Sequence, residues 1–181
     1  MGSGDLTLAE ELAPLLTRPW LLVGVGSDLR GDDAFGPRLA RRLAQDGLPC
    51  LDAGTSPESL TGPILRSGAE VLILADIGRL GAPPGTLRLL APDAVLPGGT
   101  STHDPSLSLL ISYLQAQRPF MVRILAVEPV QRGLGAPVSD AVLAAIERAG
   151  EAFRDRARRA ALDPRGARPE RVASAGLRRG K

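Results

Sequence analysis

Apolar residues along this chain follow two rhythms that alternate from one end to the other. Short apolar-rich segments at residues 20–24, 51–53, 71–75, 86–90 and 122–127 read as strands, and the one at 71–75 is a continuous apolar run, as a strand buried on both faces requires. Between them, apolar side chains recur every three or four residues, as one face of an amphipathic helix requires. Phe35, Leu39 and Leu43 form one such series, Leu107, Leu110, Ile111 and Leu114 a second, and Val142, Ile146 and Phe153 a third. Helix starts are marked as well: Ser56 precedes Pro57, Pro105 opens the second series, and Ser139 stands where a cap is needed before the third. Strands that alternate with helices predict an α/β fold with helices on both faces of a sheet. The connection at 81–85 is too short for a helix, so the strand at 86–90 is expected to run antiparallel to its predecessor. One more helix is expected at 6–16, closed by Pro19.

Composition narrows the class. At 181 residues, with 44% hydrophobic and 23% charged residues, the chain suits one globular domain with a real core. A lone Cys50 can form neither an internal disulfide nor a C-x-x-C zinc site, which points to a reducing compartment. Cys50 opens an apolar segment and reads as a small core residue. No apolar run approaches a membrane span and the start lacks the order of a signal peptide, so the expected location is the cytoplasm, with no membrane partner. The net charge of +2 conceals an asymmetry: residues 154–181 hold ten basic and three acidic residues, a balance of +7, while the rest carries −5. A basic segment without aromatics to stack on bases is expected to be a solvated tail and not a nucleic-acid site. The expected organisation is an N-terminal helical extension at 1–19, a domain at 20–153 and a flexible tail at 154–181.

The chemistry begins where the first strand ends, in Gly24-Val25-Gly26-Ser27-Asp28-Leu29-Arg30-Gly31-Asp32-Asp33-Ala34-Phe35-Gly36. Two glycines let the backbone turn at the carboxyl end of a strand, where open α/β sheets build their sites. A dinucleotide site would want a third glycine near Leu29 and free helix N–H groups, whereas Asp32 and Asp33 repel phosphate. One aspartate suffices as a helix cap, a duty assigned to Asp32, and the second is left for chemistry. Asp33 follows the first strand and Asp76 ends the third, so neighbouring strands would put both carboxylates at one edge of the sheet. His103, the one histidine, lies in a polar loop that can reach that edge. Two carboxylates and an imidazole suit a borderline divalent cation such as nickel or zinc. Asp52 and Glu128 also sit near strand ends, as loop holders or substrate contacts, and Asp28, Arg30 and Arg79 are rim positions whose plain role is solvation. No G-x-S-x-G elbow occurs.

These segments together resemble the nickel-iron hydrogenase maturation endopeptidases. The likeness rests on the stretch from Leu21 to Gly36, then Leu51-Asp52-Ala53-Gly54-Thr55, Leu72-Ile73-Leu74-Ala75-Asp76 and Ser101-Thr102-His103, with Pro84-Gly85-Thr86-Leu87 and Glu128-Pro129 in matching places. Ser27 stands where the family usually has Asn, and Ala34 where Gly is common. The resemblance implies a three-layer α/β/α sandwich around a five-stranded, mixed, mostly parallel sheet with one antiparallel strand. It also implies that Asp33, Asp76 and His103 are the metal ligands and the catalytic residues. The metal would be nickel supplied by the partner, a nickel-containing hydrogenase large-subunit precursor whose C-terminal extension is removed after nickel insertion. Coordination would polarise a carbonyl or activate a water, with a carboxylate as base. Two other readings are a non-catalytic metal-handling or hydrogenase-assembly binding protein on the same fold, and a nucleotide-binding domain. The sequence fixes no oligomeric state, and a monomer is the expectation.

Overall fold

The computed structural model describes residues 7–95 and 105–162. Strands β1 (Trp20–Val25), β2 (Cys50–Gly54), β3 (Val71–Ile77), β4 (Leu87–Leu90) and β5 (Met121–Val127) form one sheet in the order β2-β1-β3-β5-β4. The pairs β1 with β2, β1 with β3 and β3 with β5 are parallel, and β4 with β5 is antiparallel. Helices α1 (Leu8–Leu12), α2 (Phe35–Gln45), α3 (Thr61–Arg66), α4 (Pro105–Gln117) and α5 (Asp140–Leu162) complete the three layers expected from the sequence.

The two-residue period of a strand divides the core into halves. Val71, Ile73, Ala75 and Ile77 of β3 pack with Leu12, Leu39, Leu43, Ile146 and Phe153, the face covered by α1, α2 and α5. Leu72 and Leu74 pack with Ile64, Leu107, Leu110 and Leu114, the face covered by α3 and α4. All seven residues of β3 are buried, which is why this strand reads as a continuous apolar run.

The short connection does reverse the fourth strand, but its partner is β5 at the sheet edge, with Leu87 opposite Val127 and Leu89 opposite Leu125. To get there the chain crosses above β5, and Glu128 holds the crossing. Its carboxylate accepts from the Leu80 and Ala82 N–H groups at 2.6 and 3.3 Å, and its carbonyl accepts from Gly85 at 2.8 Å.

Ser56 makes no side-chain cap bond, because Pro57–Leu60 is a 3-10 turn that leads into α3. At the N-terminus the helix spans Leu8–Leu12, started by a reciprocal Thr7 and Glu10 capping box. Leu12, Leu15 and Leu16 are buried in the same cluster as Phe153. At the other end, α5 runs nine residues past Phe153. Arg154 pairs with Asp46 at 3.1 Å and Arg156 donates to the Ala13 carbonyl at 3.3 Å. The start of the basic segment is therefore helical and tied to the body, and its remainder, 163–181, lies outside the described residues.

Candidate active site

Helix α2 is seated directly on the sheet because two glycines remove the side chains that would hold it off. A Cβ on Gly36 would be driven into the carbonyls of Ala75 and Val25, and one on Gly24 into the Gly36 carbonyl. The chain can thus turn from β1 straight into the 3-10 turn Gly31–Ala34 that precedes α2. Gly26 takes φ 132°, a left-handed value, with its N–H on the Gly54 carbonyl at 2.8 Å. The Ser27 hydroxyl accepts from the Leu29 N–H at 3.3 Å and the Ser27 N–H donates to the Asp33 carbonyl at 3.1 Å, which fixes the turn.

Asp33 is half-buried at the end of β1, its carboxyl carbon 3.5 Å from where a Cβ on Gly26 would stand. Asp76 is 8% exposed and its Oδ1 accepts from the Ile77 N–H at 2.7 Å. Because Gly24 lies opposite Ala75, Asp76 stands beside Val25, one residue before the glycine that Asp33 covers. The structure thus brings these two predicted acids to one edge. Asp76 shares strand parity with Leu72 and Leu74, so it is on the face covered by α4. His103 precedes α4 by two positions in sequence and lies outside the described residues, as do Ser101 and Thr102. Among the described residues no group of three His, Cys, Asp or Glu could hold a metal ion.

Asp32 does not cap α2, contrary to the sequence reading. The residue before α2 is Ala34, without a side-chain bond, and the fully buried Asp32 carboxylate faces the loop after β5. It accepts from the N–H groups of Val130, Gln131 and Ser139 at 2.7, 3.1 and 2.7 Å and from the Ser139 hydroxyl at 3.0 Å. Burial favours the neutral acid, but the hydrogen bonds from Ser139, Val130 and Gln131 outweigh it and hold the carboxyl below its ordinary range. The Ser139 hydroxyl meanwhile accepts from the Val142 N–H at 3.4 Å and starts α5, as expected. Sequence reasoning missed this tie between turn and loop. Ser139 offered a signal, a cap residue, but nothing linked it to an acid 107 positions earlier.

The remaining acids hold structure. Asp52 accepts from the Gly54 N–H at 2.9 Å and lies 3.5 Å from Arg41, and Asp28 is paired by Arg41 and Arg38. Arg30 and Arg79 are exposed, as solvation predicts. Cys50 is half-buried and burial pushes its thiol up to about 12, which disfavours the thiolate that nucleophilic attack needs. A phosphate would find few donors at the β1 turn, since the N–H groups of Gly26, Ser27, Asp32 and Asp33 are all bonded within the protein. No helix among the described residues is long and apolar enough to cross a membrane.

The mixed five-stranded sheet with helices on both faces has counterparts among known proteins. The family described as hydrogenase maturation protease matches residues 36–155. The hydrogenase 3 maturation protease of Escherichia coli K12 is 28% identical over 131 residues, 70% of this chain and 83% of that protein. The crystal structure of the [NiFe] hydrogenase maturation protease HycI from Thermococcus kodakarensis KOD1 superposes with a TM-score of 0.74 at 26% identity, covering 82% of this chain and 99% of that one. The hydrogenase maturating endopeptidase HybD from E. coli gives 0.64 at 26% identity over 78% and 93%. The chain therefore belongs to the hydrogenase maturation protease family.

Proposed function

We propose that this protein is the cytoplasmic endopeptidase that removes the C-terminal extension from a nickel-iron hydrogenase large-subunit precursor once nickel is installed. The observation that carries the reading is the placement of Asp33 and Asp76 at one edge of β1 and β3 in a member of this family. The relatives are named as proteases, which favours cleavage over a purely metal-handling role.

Nickel belongs to the substrate here. Asp33 and Asp76, joined by His103 from the stretch before α4, complete the coordination of a metal that the precursor already holds. Three ligands without a thiolate make a weak site alone, so tight binding requires the precursor. Coordination sets one peptide bond of the precursor at the sheet edge. There its carbonyl is polarised or a water is activated, and a carboxylate takes the proton of the attacking water. The C–N bond breaks, the departing amine receives a proton, and the extension leaves. The protein acts as a monomer on one precursor.

Nickel-loaded precursor incubated with the unmodified protein and with Asp76→Asn tests the reading on a gel. The expected result is a faster-migrating large subunit with the first and little with the second. Equal processing by an Asp76→Asn protein of unchanged circular dichroism removes that residue from the site.

A further inference from the structure

The edge that carries Asp33 and Asp76 is bordered by apolar and basic side chains as well. Of the eight large apolar side chains exposed among the described residues, three fall on two short loops at this edge: Leu29 after β1, and Val130 and Leu134 after β5. They are 69%, 57% and 78% exposed. Single exposed apolar residues are ordinary, but a concentration of them beside a site marks a contact surface. Each loop at the carboxyl end of the three central parallel strands also presents an exposed arginine, Arg30 after β1, Arg79 after β3 and Arg132 after β5. None of the three is in an ion pair among the described residues.

The two apolar loops are built as one unit. The Gly135 N–H donates to the Leu29 carbonyl at 2.8 Å and the Asp32 N–H to the Gln131 carbonyl at 3.0 Å, while the Asp32 carboxylate gathers Val130, Gln131 and Ser139. A surface fixed in this way loses little conformational entropy when a partner lands on it. Asp32 directly precedes Asp33, so the platform is continuous with the turn that carries the candidate ligand.

We infer that loops 27–31 and 128–136 form the docking platform for the precursor, which lays an apolar side chain over Leu29, Val130 and Leu134 and sets flanking carboxylates at Arg30 and Arg132. The identity of the partner rests on the proposed function. The precursor is the occupant because the peptide bond to be cut must lie at this same edge, and because unpaired arginines around an apolar centre complement an acidic, apolar segment.

Binding of the full chain to immobilised nickel-free precursor, where no cleavage intervenes, tests the inference by biolayer interferometry. Leu29→Asp combined with Leu134→Asp is expected to weaken binding by about tenfold or more, the loss of an apolar anchor. Arg132→Glu should weaken it too and flatten its salt dependence. Leu109→Asp, an equally exposed position on α4, should leave binding unchanged. Unaltered affinity in the loop variants overturns the platform, as does failure of the unmodified protein to bind. So does a shift from dimer to monomer in those variants without loss of precursor affinity, which would make the occupant a second copy. The proposed function is read separately, from cleavage of nickel-loaded precursor by the unmodified protein. Loop-dependent binding without cleavage thus defeats that reading and leaves the platform standing.

Discussion

Asp33 is half-buried over Gly26, whereas Asp32, one residue earlier, is fully buried under four hydrogen bonds, so two adjacent acids of identical chemistry sit in different surroundings. Asn at position 32 would present an amide N–H₂ to donors that need an acceptor. Asp32→Asn is therefore expected to cost about 1–3 kcal/mol, or roughly 3–10 °C in the thermal midpoint. The pH dependence has a definite sign. With its folded pKa lowered, Asp32 stabilises the protein fully above the unfolded aspartate value of about 3.9, and that stability is lost as pH falls through the folded value. The stability gap between the unmodified protein and Asp32→Asn, measured by urea unfolding, should thus narrow as pH drops from about 5 towards 3. A gap that widens would contradict the direction. Asp33→Asn and Asp76→Asn should instead keep stability and lower processing by about tenfold to a hundredfold, the usual cost of disturbing a ligand set.

Among the elements, the strands were legible because a buried parallel strand needs an apolar side chain at every position, as β3 has from Val71 to Ala75. The reversal of β4 was legible from the short connection, but its partner was not, since the loop before it is held by Glu128, 48 residues beyond Leu80, and carries β4 past β3 to the far side of β5. The burial of α1 was likewise hidden: Leu12, Leu15 and Leu16 show helical spacing but no clue to the α5 surface that covers them. Leu12→Ala should cost about 2–5 kcal/mol in chemical unfolding, and a loss below about 0.5 kcal/mol would show that α1 is dispensable to the core. Gly36→Ala forces a Cβ against the Ala75 and Val25 carbonyls. It should lift α2 off the sheet, destabilise by about 1–3 kcal/mol and disturb the turn that carries Asp33, so that processing falls as well.

At the scale of the whole molecule, the order of strands converts separated sequence signals into one edge. Asp33 and Asp76 could be singled out in the sequence, Asp76 because an acid directly after an apolar strand is costly without a purpose, and Asp33 because a second acid was left over beside Asp32, although the cap duty given to Asp32 did not hold. Their convergence needed β1 and β3 to be neighbours, which periodicity alone does not state. The platform of Leu29, Val130 and Leu134 was not legible, because exposed apolar residues gain meaning from being brought together by a distant carboxylate. The fold, the family and the two acids lead to a central claim that nickel in the precursor is what the site recognises. Intact mass measurement of the precursor after incubation with the purified protein tests that claim most directly, with nickel-loaded and nickel-free precursor side by side. The expected result is a single C-terminal truncation of the loaded form and an unchanged mass for the nickel-free form. Efficient truncation of nickel-free precursor in the presence of a chelator, or an uncut nickel-loaded precursor, would contradict it.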